Sequence, residues 1–112
     1  MDRDAYLQVI SRHLQNAYLL NEEKTAEMIP VFIATLRGQV ERLEHLTATA
    51  DRKELGRAGH GIKGALLNMG LDDLAELAHR LEQQCGDPEH HGPIDRTLIT
   101  DLERAVSLLA ET

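Results

Sequence analysis

Tryptophan is missing from this sequence, phenylalanine occurs once, and aromatic residues make up 3% of the chain. The apolar residues available are mainly Leu, Ala and Ile, which suit helix-on-helix packing better than a sheet. Cysteine also occurs once, at Cys85, which excludes an internal disulfide and fits a reducing compartment. No apolar run is long enough to suggest a membrane span, and the opening MDRDAYLQ lacks the basic and apolar regions of a signal peptide. A cytoplasmic protein is the expectation. Bases are in deficit, 12 against 19 acids for a net charge of −7, which argues against nucleic acid and anionic membrane surfaces as main partners. With 112 residues and 42% apolar content, a single domain over residues 1–112 with one modest core is expected.

What the chain does have is helical periodicity. From Asp4 to about Leu20, Leu7, Ile10, Leu14, Ala17 and Tyr18 share one face. Asn21-Glu22-Glu23 breaks that pattern and offers a cap and early acids to a second helix running to about Thr47. Its apolar side carries Ile29, Phe32, Ile33, Leu36, Val40 and Leu43, and Pro30 either kinks it or marks its true start a turn later. Asp51, with Glu54 three residues on, forms a capping-box pattern for a third helix that Gly70 closes. Asp72 or Asp73 opens a fourth, with Leu74, Leu77, Ala78, Leu81 and Cys85 on its stripe and Gly86 at its end. GDPEHHGPID, residues 86–95, reads as a loop. A fifth helix from about Asp95 to Ala110 buries Leu98, Ile99, Leu102, Ala105, Val106 and Leu109. There is no strand-like alternation, internal repeat or low-complexity tract. The expected fold is all-α, an antiparallel up-down four-helix bundle with the extra N-terminal helix capping one end.

The third helix, KELGRAGHGIKGALLNMG from Lys53 to Gly70, carries the chemistry. Leu55, Ala58, Ile62, Ala65, Leu66 and Met69 form its apolar stripe, and at about 100° per residue His60 points almost directly away from them. Gly56 and Gly64 stand one turn before and after the imidazole, and Lys63 one turn on along the adjoining edge. Each interior helical glycine costs roughly 1 kcal/mol relative to alanine, so Gly56, Gly59, Gly61 and Gly64 together weaken this helix substantially. Gly59 edges the apolar stripe and can serve a close helix contact. Gly56 and Gly64 face outward with His60, and their expected purpose is to let something large approach the ring. An imidazole, with a reference pKa of about 6.5, is largely unprotonated at neutral pH and can accept and release a phosphoryl group. An ammonium at i+3 would offset the negative charge that arrives with it.

GHGIKGALLNMG closely resembles the signature of histidine-containing phosphotransfer (HPt) domains, in which a helix reads approximately AHxLKGxxxxxG. His60, Lys63, Gly64 and Gly70 match in type and spacing. Leu71 onward, with Leu74, Leu77 and Leu81-Glu82, is similar to the helix that follows in the family, and Phe32 to an aromatic in the helix before. Gly59 and Gly61 depart from the pattern, standing where Ala and a small polar residue are commoner. The resemblance, strongest from Ile29 to Gln84, implies a four-helix bundle that passes phosphoryl groups to and from an aspartate on a receiver domain. It implies His60 as phospho-acceptor, Lys63 as electrostatic helper and Gly64 as clearance beside the ring. The implied partner is a response-regulator receiver domain, a hybrid sensor kinase, or both, with Mg2+ on the receiver and no cofactor on this chain. No P-loop, Gly-rich nucleotide loop or kinase motif is present, so no ATP-dependent kinase activity is expected. A monomer is the default expectation.

Geometry on the helix also marks a partner-facing surface. Gly56, Arg57, Leu67 and Asn68 project on the side of His60 within about two turns, and Leu67 is an apolar residue on that outward face. Other histidines carry less. Glu76 and His79 form one E-x-x-H, but a di-iron bundle needs two such pairs and two further glutamates, so a surface contact between them is expected instead. His90-His91 in the loop has no spaced Cys or His cluster around it, and no designed metal site is expected. His13 and His45 lie on helices without nameable partners, and Cys85 belongs to a core stripe. Two alternatives stay open: a metal-binding bundle built on Glu76, His79 and further acids, and a helical adaptor that is not phosphorylated.

Overall fold

Aspartate and asparagine side chains decide where most of the helices begin. A helix start leaves backbone N–H groups without partners, and a short polar side chain just before it accepts one of them. In the computed structural model, which describes residues 2–49, 51–87, 89 and 94–111, this happens four times. Asp2 Oδ1 accepts from the Ala5 N–H at 2.8 Å, Asn21 Oδ1 from Lys24 at 2.8 Å, Asp51 Oδ1 from Glu54 at 3.2 Å and Asp95 Oδ1 from Thr97 at 3.0 Å. The described residues form five helices and no strand: α1 (Arg3–Tyr18), α2 (Glu22–Thr49), α3 (Arg52–Asn68), α4 (Asp72–Gly86) and α5 (Arg96–Ala110). Only α4 starts without a side-chain cap, from Leu71, with Asp72 and Asp73 in its first turn, where their charge complements the helix dipole.

α2 has 28 residues, about 42 Å of helix, and accounts for most of the 47 Å long dimension of the molecule. It begins at Glu22 and runs through Pro30, which excludes Pro30 as its start. The proline gives up the bond a residue there would donate to the Ala26 carbonyl; both residues are exposed, so water can take its place. α3 packs on α2 and α4, and α5 on α2 and α4, so α2, α3, α4 and α5 close a ring around one core. α1 lies against α2 and α5 and adds Ile10 and Leu14 to that core. Ile33, Leu36, Val40, Leu43, Ile62, Leu66, Leu74, Ala78 and Leu81 are buried there with all six apolar residues expected of α5. Ile29, Phe32, Leu77 and Cys85 are only half-buried at its margin. Ala17 and Tyr18 depart from expectation: both are exposed in the last turn of α1, which stops at Tyr18 with Leu19 at φ 55°. His90-His91, with Pro88, Gly92 and Pro93 of the expected loop, lies outside the described residues.

The turn between α3 and α4 depends on Gly70. Gly70 N–H donates to the Leu67 carbonyl at 3.1 Å and Leu71 N–H to Leu66 at 2.9 Å, the paired reverse bonds of a Schellman motif, with Leu66 and Leu71 both buried. Gly70 sits at φ +77°, and a Cβ there would lie 2.6 Å from the Cβ of His13 on α1. Glycine is therefore required twice, by backbone conformation and by space. Gly70→Ala is expected to cost about 2–4 kcal/mol, adding left-handed strain to overpacking. Gly38→Ala, an exposed position in α2 with nothing within 4 Å of the new methyl, is expected to gain about 0.5–1 kcal/mol. Urea denaturation of the two variants beside the native chain measures both; equal effects would refute the assignment of Gly70.

Candidate functional site

The glycines of α3 separate by what stands next to them. A Cβ on Gly56 would come 3.0 Å from the Cβ of Cys85 on α4. A Cβ on Gly59 would come 3.5 Å from the Ala78 carbonyl oxygen and 3.6 Å from the Glu82 nitrogen. α3 and α4 therefore run antiparallel at close range, and Gly56 belongs to that contact. This corrects the expectation that Gly56 is explained only by clearance for an approaching molecule: a side chain there would press on Cys85 of α4. Gly61 has Gln39 Nε2 at 3.6 Å, whereas Gly64 has nothing within 4 Å and is the one glycine beside His60 that opens to free space.

The close approach brings a carboxylate from α4 onto the histidine. His60 Nδ1 is 2.8 Å from Glu82 Oε1, and Lys63 Nζ is 2.7 Å from Glu82 Oε2. The imidazole nevertheless remains 69% exposed. Lys63, at 22% exposure, lies in the crevice between the helices, with its ammonium held on Glu82 instead of reaching into solvent. The Lys63 ammonium, and after it the His60 ring, hold the Glu82 carboxyl below its ordinary value of 4.5 against the opposing effect of burial. Glu82 is then ionised at neutral pH and can only accept hydrogen bonds. It follows that Nδ1 carries a hydrogen and donates to Glu82, so that a ring with a single hydrogen keeps its lone pair on Nε2. Such an imidazole is a preoriented nucleophile.

The remaining residues expected at the site spread along the same helix. Arg57 is exposed and held by Glu54, 2.9 Å from Nη1 to Oε1, with Arg42 3.8 Å from the other carboxylate oxygen. Leu67 and Asn68 are exposed, and Asn68 Oδ1 accepts from the Tyr18 hydroxyl of α1 at 3.3 Å. Beside His60 lies an open groove of about 620 Å³ between the first half of α3 and the end of α4. Arg52, Lys53 and Arg57 line it with His60 and Glu82, and Gly56, Cys85 and Gly86 complete it. Burial pushes the Cys85 thiol up, in keeping with a packing role.

One expectation changes here. Glu76 does not meet His79: it pairs with Arg80 at 3.5 Å, while His79 Nδ1 lies 3.9 Å from Glu82 Oε2. Among the described residues no group of three or more His, Cys, Asp or Glu could hold a metal ion. Glu82 itself escaped the sequence reading as a functional residue. It stands 22 positions from His60, belongs to no motif spacing with it, and is brought there by the register of two packed helices.

The family model described as the Hpt domain matches residues 27–112, from within α2 to the end of the chain. No curated protein and no solved structure matches.

The ionisation of Glu82 predicts a pH dependence. Its folded value is depressed, so its stabilising contribution is complete above the ordinary 4.5 and is lost as pH falls through the lower folded value. Glu82→Gln should be less stable than the native chain at pH 7, by roughly 1 kcal/mol or less, since the His60 end of the bridge is open to water. The gap should close as the pH is taken down towards 3. Urea midpoints of both proteins across that range test this; a gap that stays constant to the lowest pH would contradict it.

Proposed function

The chain belongs to the Hpt domain family and so to the phosphotransfer of two-component and phosphorelay signalling, and we propose that it serves there as a relay intermediate on His60. The partner in this reading is the phosphorylatable aspartate of a receiver domain, standing alone or within a hybrid sensor kinase. The observation that carries it is the exposed imidazole with Nδ1 committed to Glu82 and Nε2 left bare.

The step follows from that arrangement. The Nε2 lone pair attacks the phosphorus of the aspartyl phosphate, the bond from phosphorus to the carboxylate oxygen breaks, and the aspartate leaves with the electron pair. The ring keeps its Nδ1 hydrogen and becomes an imidazolium, whose charge Glu82 meets at 2.8 Å. In reverse, an aspartate carboxylate attacks phosphorus and Nε2 departs as part of a neutral imidazole. Lys63 acts twice, holding Glu82 ionised and offsetting the negative charge of the incoming phosphoryl group. Gly64, open on its outer side, gives the donor room beside the ring. The Mg2+ that aspartyl transfer uses is held by the receiver.

The same reading treats α2 to α5 as an antiparallel up-down bundle with α1 over one end, supported by the ring of helix contacts and by the His13–Gly70 packing. It takes Arg57, Leu67 and Asn68, with the Gly56 groove, as partner-facing. It treats the chain as a cytoplasmic monomer, which an unpaired Cys85 suits. The test is His60→Gln: labelling by a phosphorylated receiver domain should disappear while the helical circular dichroism and urea midpoint stay within error of the native chain. A variant still labelled to the native extent would overturn the assignment.

A further inference from the structure

Among the described residues four large apolar side chains are exposed: Tyr18 (47%), Leu19 (87%), Val31 (58%) and Leu67 (46%). Three of them gather at one place. The Tyr18 hydroxyl donates to Asn68, so the end of α1, with Leu19 next in the chain, adjoins the Leu67-Asn68 corner of α3. Leu67 lies seven residues beyond His60, about 10 Å along the helix and within about 20° of the same face. Tyr18 is held by an edge-to-face contact with His13, centroids 6.2 Å apart at 83°, and His13 is itself packed over Gly70. The corner is thus built onto the scaffold.

Leu19 is the least expected part of it. It occupies φ 55°, a conformation that suits glycine and costs leucine, and its side chain is nearly all in water. Folding recovers nothing from that side chain. Strain kept at an exposed apolar residue beside a reactive face points to something that covers it.

The other flank of His60 has the opposite chemistry. α3 carries Arg52, Lys53, Arg57 and Lys63 against Glu54 alone, in a chain whose net charge is −7. Arg52, Lys53 and Arg57 line the groove beside the ring. A partner that fits must set acidic groups against this flank and apolar ones against the Tyr18-Leu67 corner. A receiver domain meets the first requirement by chemistry, since a pocket that binds a divalent cation beside its aspartate gathers carboxylates.

We propose that Tyr18 and Leu19, with Leu67, form the apolar half of the face on which the receiver docks, so that α1 helps choose the partner. This rests on His60 being the phospho-acceptor. The family match begins at residue 27, so α1 and Leu19 lie outside it, which is where a feature peculiar to this chain would be carried.

The experiment uses the full chain and a panel of receiver domains charged with radiolabelled acetyl phosphate, with phosphoramidate as a small donor that needs no docking. Leu19→Glu should lower kcat/KM about tenfold with the receiver that serves the native chain best, and change the rate of phosphoramidate labelling less than twofold. Leu19→Gly, which relieves the backbone, should raise the urea midpoint and still lower kcat/KM several-fold. Val31→Glu, on α2, should transfer like the native chain. Native transfer rates in both Leu19 variants would overturn the proposal, as would a loss in Val31→Glu equal to that in Leu19→Glu. A native dimer that Leu19→Glu dissociates without slowing transfer would overturn it too, by making the corner a contact between copies. If phosphoramidate fails to label His60 in the native chain, the relay reading itself falls, an outcome distinct from a docking defect.

Discussion

One carboxylate joins the two helices that make the site. Glu82 of α4 accepts from His60 at 2.8 Å and forms an ion pair with Lys63 at 2.7 Å, both on α3, and most of what the site can do follows from that bridge. Its energetic contribution is small. An ion pair with one end open to water is worth about 0–1 kcal/mol, less than the 1.5–3 kcal/mol from burying one leucine, and the core buries many. Its effect is one of state. An ionised Glu82 fixes which ring nitrogen carries the hydrogen and which keeps a lone pair, and it stands ready for the positive charge that forms when the lone pair is used.

The scaffold works to keep that bridge in register. Gly56 and Gly59 let α4 come within side-chain contact of α3, so a glutamate three turns along α4 reaches the imidazole instead of passing above it. The Schellman turn at Gly70 sets where α4 begins, and therefore which of its residues faces His60. His13 of α1 closes over that turn. A change at Gly70 would thus act on the site through register, about 10 residues and more than two helical turns away.

Much of this was legible in the chain itself. Apolar stripes located all five helices, Asp51 and Asp95 were readable as starts, Gly70 as a stop, and His60 as an outward-facing ring on a helix heavy in glycine. These are local features, each decided by residues within one or two turns of each other. What escaped was set by pairing between helices. Glu82 has no periodic relation to His60, and the reason for Gly56 is Cys85, 29 positions on. Ala17 and Tyr18 were assigned to the apolar face because a 3.6-residue pattern gives no warning that the helix stops at Tyr18 and that its last turn is left exposed. The Glu76–His79 spacing suggested a contact between the two, but the partners differ, since Arg80 competes for Glu76 one turn on.

The central claim is that Glu82 holds His60 as the tautomer with hydrogen on Nδ1 and a bare, outward Nε2. The most direct measurement is a long-range 1H–15N NMR spectrum of the histidine rings in the full, unphosphorylated chain at a pH where imidazoles are neutral. The account predicts a protonated Nδ1 and an unprotonated Nε2 for His60 in the native protein, giving way to a mixture of tautomers in Glu82→Gln. A native spectrum with the hydrogen on Nε2, or one that Glu82→Gln leaves unchanged, would contradict it.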